Sequence, residues 1–227
     1  MFRRIILFAV FACIFLSCGI DDIVYLEHPK LIHRPTGHTD ENKKYFEFET
    51  SDKTNFQSAS GFFKGFEIYY RIYESKRDCE SVISNMEKYT ETNPSNSVNY
   101  LLSSYNYRLL AHSNHSYQDR PLINAPSAVP LNNRSVKFRI ENLNFFPNDF
   151  NVDGSTEGKT QRQNGEDFKD AKKGDYDVQS SAEPSSDSFY VAVFAAAYGF
   201  DTSFKTIYSD LISLGYVEIK KNTLLSP

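Results

Sequence analysis

The chain has no tryptophan, only two methionines and only three cysteines among its 227 residues. So few cysteines exclude a disulfide-dense scaffold, and stability has to come from a buried core. An excess of positive charge is also missing. The 25 basic side chains stand against 29 acidic ones, a net charge of −4, which excludes a nucleic-acid binder that works by neutralising phosphates. No apolar run reaches the roughly 20 residues that a membrane-spanning helix needs. What is present is ordinary globular material, 40% hydrophobic and 24% charged, enough for one mid-sized domain or two very small ones and unlike a disordered chain. Nineteen Phe and fifteen Tyr skew the composition towards strands.

The N-terminus supplies an address. Arg3 and Arg4 precede the apolar run Ile5–Leu16, and Ser17-Cys18-Gly19 follows it. A short cationic start and an apolar stretch of that length form an export signal. The small residue before Cys18 resembles the end of a bacterial lipoprotein signal, with Phe15 in the position where the usual motif has Leu. By that resemblance residues 1–17 are a signal peptide, the Cys18 thiol receives a diacylglyceryl group, and cleavage leaves Cys18 first. Two or more acyl chains, at about 0.8 kcal/mol per buried methylene, anchor a protein stably. A plain signal peptide with an incidental cysteine, or an uncleaved anchor, is the alternative. Loss of Arg3 and Arg4 leaves 23 basic and 29 acidic side chains on 210 residues, a net charge of −6. Cys79 is then the one ordinary thiol.

Residues 18–30 read as a tether and the entry to a first strand. Leu31 and Ile32, flanked by Pro29 and Pro35, suit an edge strand, where proline is tolerated. Residues 37–44 are a polar loop. Tyr45–Glu49 alternates, with Phe46 and Phe48 on one face, and so does Val136-Lys137-Phe138-Arg139-Ile140; both have the period of half-buried strands. The strongest strand lies within Phe62–Tyr73, where Phe66, Ile68, Tyr70 and Ile72 alternate with Glu67, Tyr69, Arg71 and Tyr73. Ser75 is placed as an N-cap with Asp78 in the first turn. Cys79, Val82, Ile83, Met86 and Tyr89 then share one helical face, and Asn93-Pro94 ends it. A shorter helix using Val98, Leu101 and Leu102 follows, and Tyr105, Tyr107, Leu109 and Ala111 alternate as a strand.

Ser113–Pro130 reads as a loop. Residues 151–187 hold nine acids, five bases and four of the ten glycines with scarcely any large apolar residue, the composition of a disordered, solvated acidic loop. Phe189–Tyr198 is a continuous apolar run that fits a central strand buried on both faces. Phe204–Leu214 has a helical face in Phe204, Ile207, Tyr208, Leu211 and Ile212. The rival is a bent strand running on to Ile219 with Gly215 as a bulge.

Short alternating strands and polar turns make the fold class a mostly β sandwich. Gly65-Phe66-Glu67-Ile68-Tyr69-Tyr70-Arg71-Ile72-Tyr73 resembles the third strand of a fibronectin type III domain. Phe189, Val191, Val193 and Ala195 with Gly199 resemble its sixth, and Tyr208-Ser209 with Leu214-Gly215-Tyr216 the entry to its seventh. With Cys18-Gly19 and Tyr25-Leu26-Glu27-His28-Pro29, the whole resembles the fibronectin-III-like lipoproteins of spirochaetes, whose function is uncharacterised. The resemblance implies one immunoglobulin-like, fibronectin type III-like sandwich over 31–220, with a small helical insert at 75–103. It also implies an exported adhesive or binding module. The missing tryptophan, the insert and the acidic segment depart from the family pattern.

No catalytic, cofactor or metal set emerges. His28, His33 and His38 are spaced by five, which alternates faces along a strand, and His112 and His115 have only Asp119 nearby, too few ligands for zinc; scattered surface histidines are expected. Asp167, Asp170, Asp175 and Asp177 lack calcium-loop spacing. Asn114-His115-Ser116 and Asn133-Arg134-Ser135 match glycosylation acceptors, an idle match in a bacterial lipoprotein. Cys79 on its apolar helix face is expected to be a buried structural thiol. Tyr69 and Tyr73, beside Glu67 and Arg71, are either an exposed recognition face or, where the insert covers them, core; core is expected. The expectation is therefore a lipid-anchored envelope protein, periplasmic or at the cell surface. It has a membrane partner through Cys18, a possible protein or glycan partner, no nucleic acid and no cofactor. The rival from another class is an exported enzyme with an unrecognised active site.

Overall fold

Strands that alternate need one wet face, whereas strands apolar on both faces need cover on each side, and the chain sorts its strands into layers on that basis. The computed structural model describes residues 24–35, 40–143 and 145–221. In chain order its elements are β1 (Lys30–His33), β2 (Phe46–Glu49), α1 (Asp52–Ser58), β3 (Phe63–Tyr73), α2 (Lys76–Thr92), α3 (Ser97–Ser104), β4 (Arg108–Leu109), β5 (Ala111–His112), β6 (Ile123–Asn124), β7 (Ser135–Phe138), β8 (Asp149–Val152), β9 (Ser155–Gln161), β10 (Val178–Gln179), β11 (Ser188–Phe200), β12 (Thr206–Tyr208) and β13 (Ile212–Lys220). Short 3-10 turns lie at Glu41–Lys43, Pro94–Asn96 and Phe168–Asp170.

Two sheets, of six and seven strands, pack face to face. The first runs β1-β2-β7-β8-β9-β5, with β1 at an edge as its flanking prolines require. In the second, β3 and β11 lie side by side. β12 and β13 pair with the far side of β11, and β4, β6 and β10 share the far side of β3. Among the described residues β10 on β3 is the parallel pairing, and the rest are antiparallel.

Phe46, Phe48, Val136, Phe138 and Phe150 of the first sheet meet Phe66, Ile68, Tyr70, Val191 and Val193 of the second in the inter-sheet core. The outer face of β3 and β11 carries Tyr69, Tyr73, Tyr190 and Phe194, and α2 and α3 cover it with Cys79, Ile83, Met86, Val98 and Leu101. The small side chains of Ala192 and Ala196 lie in this same layer. The expected helix forms as its cap predicts, with the Ser75 hydroxyl accepting from the Asp78 amide. The aromatic face of β3 is therefore core. The insert at 75–103 is what buries it.

Three expectations are corrected. Residues 151–187 are not a disordered, solvated loop. They complete β8, supply β9 and β10, and bury Phe168, Ala171, Val178, Arg162 and Asp177. Composition misleads there because one buried arginine gathers acids that would otherwise repel. Phe204–Leu214 does not form the helix that its periodicity suggests; β12 and β13 run through it. Gly215, at φ +91°, sits beside the register shift that bends β13 against β11, so the bulge reading holds. Tyr105–Ala111 is not one strand. β4 pairs with β3, Leu110 follows, and β5 pairs with β9 in the other sheet. The helix α1 carries no apolar period and was not expected. Asp52 within it accepts from Arg134 Nε (2.7 Å) and Nη2 (3.0 Å) and from the Thr50 hydroxyl (2.5 Å).

Candidate functional site

Cys18 and the signal segment lie outside the described residues, as does His38. The remaining expected site residues fall in separate places. His28 and His33 are half-buried near the start of the first sheet. His112 and His115 come together, ring centroids 5.4 Å apart, and His112 stacks on Phe150 at 5.2 Å. His112 is buried rather than a scattered surface histidine, because β5 carries it into the first sheet. Burial, with His115 beside it, pushes its pKa down to about 4. Among the described residues no cluster of three or more His, Cys, Asp or Glu is placed to hold a metal ion. Cys79 lies on the buried face of α2, and burial pushes its thiol pKa well up.

The acids of the 151–187 segment do not form a wet cluster. Arg162, fully buried, donates Nε to Asp177 Oδ2 (2.9 Å) and Nη2 to Asp177 Oδ1 (2.5 Å) and Asp175 Oδ2 (2.7 Å). Its Nη1 reaches Glu166 (3.0 Å). Tyr70 donates its hydroxyl to Asp177 at 2.6 Å. Burial, reinforced by Asp177, holds that phenol neutral. Bidentate, charge-assisted bonds of this kind are strong and directional. They fasten β9 and β10 to β3. Asp167 lies at the surface, bridged to Lys169 at 3.6 Å.

Glu67 and Arg71 alternate with isoleucines on β3 and look exposed in the sequence, yet both are buried. Glu67 accepts from Arg120 Nε (2.5 Å) and Nη2 (2.7 Å) and from the Tyr69 hydroxyl (2.6 Å). Arg120 also donates to the Tyr208 hydroxyl (3.0 Å), and its guanidinium lies 4.7 Å from the Tyr198 ring centroid. Its hydrogen bonds to Glu67 raise its pKa against the opposing effect of burial. Arg71 Nη1 donates to the carbonyls of Asn106 (2.9 Å) and Tyr176 (2.8 Å), tying two neighbouring segments at the edge of β3. Sequence reasoning missed these pairings. A glutamate and an arginine on the aromatic face of β3 were the available signal.

The surface also carries concave features. A groove of about 480 Å³ between α2 and β13 is lined by Arg34, Lys76, Glu80, Glu87 and Tyr216, among others. Arg34 Nη1 pairs with Glu87 at 2.9 Å, and Tyr216 donates its hydroxyl to Glu80 at 2.7 Å. Burial and that bond to Glu80 raise the Tyr216 pKa. Arg34 Nε is buried without a hydrogen-bond partner among the described residues. The groove's acids and bases pair with one another, Arg34 with Glu87 and Lys76 with Glu80 at 3.8 Å.

The last feature is the end of the sandwich where β3 begins and β11 finishes. The Glu27 amide donates to Asn55 Oδ1 (2.6 Å) and the Ser51 hydroxyl donates to the Glu27 carbonyl (2.6 Å), pinning the first described residues to α1. The β11–β12 turn and the segment between β6 and β7 share this end. The Phe200 amide donates to the Phe62 carbonyl, the Ala125 amide to the Lys64 carbonyl, and the Lys53 amide to Asn133 Oδ1.

Fold and sites together define a mostly β protein of two packed sheets with a helical cover. Comparison with protein-family models, with curated proteins and with solved structures finds no match.

Proposed function

We propose that the chain is an exported lipoprotein anchored through Cys18, and that its sandwich, of fibronectin type III kind, serves as a binding or structural module of the cell envelope rather than as an enzyme. One observation carries the reading: the strand connectivity. Taken in order as the strands of an immunoglobulin-like domain, β1, β2 and β7 stand for A, B and E in one sheet. β3, β11 and β13 stand for C, F and G in the other, each next to the neighbour that plan requires. The β8–β9 hairpin, the parallel β10 and the two covering helices are additions around that frame. The mutual pairing of charges in the α2–β13 groove supports recognition over chemistry.

The test is covalent. Cells expressing the chain are fed labelled palmitate, beside cells expressing Cys18→Ser. Label on the native chain, with loss of both label and normal processing in the variant, is the expected result. Label retained by Cys18→Ser would exclude the anchor.

A further inference from the structure

We infer that the end of the sandwich bearing Phe204, Leu131 and Val129 rests against a phospholipid bilayer, with those side chains among the headgroups and Lys53, Lys64 and Lys205 facing anionic lipid. The inference rests on the anchor at Cys18 proposed above.

Single exposed apolar side chains are common on any protein, so exposure alone marks no surface. What sets three of them apart is that they coincide in place. Phe204 is 82% exposed, Leu131 86% and Val129 65%. They stand on the β11–β12 turn and on the segment between β6 and β7, both at the end where β3 begins. That is also where the chain enters the fold, since Glu27 is bonded to Ser51 and Asn55 of the α1 region. Five residues, 19–23, separate Cys18 from Val24. Fully extended, that link reaches about 20 Å. The eleven residues of β3 span roughly 35 Å at about 3.3 Å each. A lipid on Cys18 therefore keeps the entry end within reach of the membrane, while the opposite end, with exposed Phe145, lies roughly 35 Å further along β3.

Charge agrees with the placement. The mature chain is net negative, yet Lys53, Lys64 and Lys205 are exposed at this end and none of them is in an ion pair among the described residues. Of the acids here, Asp52 is buried against Arg134, and Asp201 Oδ1 accepts the amides of Ser203 and Lys205, both at 2.8 Å. Asp153 is exposed and Glu27 and Glu49 are half-buried, so carboxylates as well as lysines stand at this end. Phe204 itself sits at φ +60°, a conformation bulky side chains rarely adopt and that costs energy to hold. The Asp201 bonds hold the turn in it. An aromatic ring flanked by lysines suits the boundary between headgroups and acyl chains.

The absence of tryptophan allows a clean test. Phe204→Trp, and separately Leu131→Trp, place one indole reporter at the proposed contact; Phe145→Trp places one at the far end. Each full-length acylated protein is reconstituted into vesicles of phosphatidylcholine and phosphatidylglycerol, with and without brominated acyl chains. The mass of the N-terminal residue reads the acylation separately. The expected result is a blue-shifted emission from the Phe204→Trp and Leu131→Trp proteins that loses most of its intensity to brominated lipid, with the emission of Phe145→Trp unaffected. Acylated protein in which all three reporters stay equally unquenched overturns the inference and leaves the anchor standing. A shifted but unquenched emission from Phe204→Trp also overturns it, because the ring is then covered by protein. A chain without lipid overturns the anchor and this inference together.

Discussion

His112 shows how burial turns an unremarkable residue into a pH-sensitive one. Its imidazole is held between Phe150 and His115 with its pKa down at about 4, against about 6.5 in an unfolded chain. The native state therefore favours the neutral ring, and between these values the unfolded chain binds more protons. Stability from this site is complete above about pH 6.5 and is lost as pH falls towards 4, amounting to roughly 3 kcal/mol over the full window. Urea midpoints measured from pH 7 to pH 4 are expected to fall for the native chain and to fall less for His112→Phe. Equal slopes in the two proteins would remove His112 from the account. Glu67 and Asp177 teach the companion lesson, that a buried carboxylate persists where its oxygens are matched by donors.

At the scale of elements, the segment from β9 to β10 is held by a cation in the wrong place for a surface. Arg162 follows directly on β9 and Asp177 directly precedes β10, and their pairing seats Phe168 against Tyr70 at 4.8 Å. Removing one member of a buried pair leaves the other charge unanswered and costs about 3–5 kcal/mol, whereas removing both costs less than the sum. Arg162→Met and Asp177→Leu are each expected to lower the urea midpoint sharply, and the double variant is expected to recover part of the loss. Simple additivity of the two would show that no coupling exists. Limited proteolysis provides a second reading, since either single variant should open residues 163–176 to cleavage.

At the scale of the molecule, β11 links everything. One face of it lines the inter-sheet core through Val191 and Val193, and the other meets the helices through Tyr190 and Phe194. Val193 lies opposite Tyr70 on β3 and Gly215 on β13. Val193→Asp puts an unpaired carboxylate between the sheets, a penalty of several kcal/mol against a typical total of about 5–15 kcal/mol. Amide dispersion is expected to collapse across residues 45–73 as well as in the C-terminal half. Native signals over 45–73 in this variant would mean that two units fold independently.

What the sequence determined by itself follows from local periodicity. The alternation in Phe46–Glu49 and Val136–Phe138 specifies half-buried strands, the unbroken run from Phe189 specifies a central one, and Ser75 to Pro94 specifies a capped amphipathic helix. Each of these signals is complete within a few turns of chain. The tertiary structure alone decided the matters that depend on distant partners. Whether Tyr69, Glu67 and Arg71 are surface or core depends on α2, α3 and Arg120 folding back over β3. Whether 151–187 is ordered depends on Arg162 finding Asp177, and whether Phe204–Leu214 is helix or strand depends on β11 offering an edge to pair with. A helical face and a strand edge compete on nearly equal local terms, so the neighbouring strand settles the choice. The same holds for the entry of the chain and for Phe204 and Leu131, far apart in sequence, which only the packed sheets set at one end.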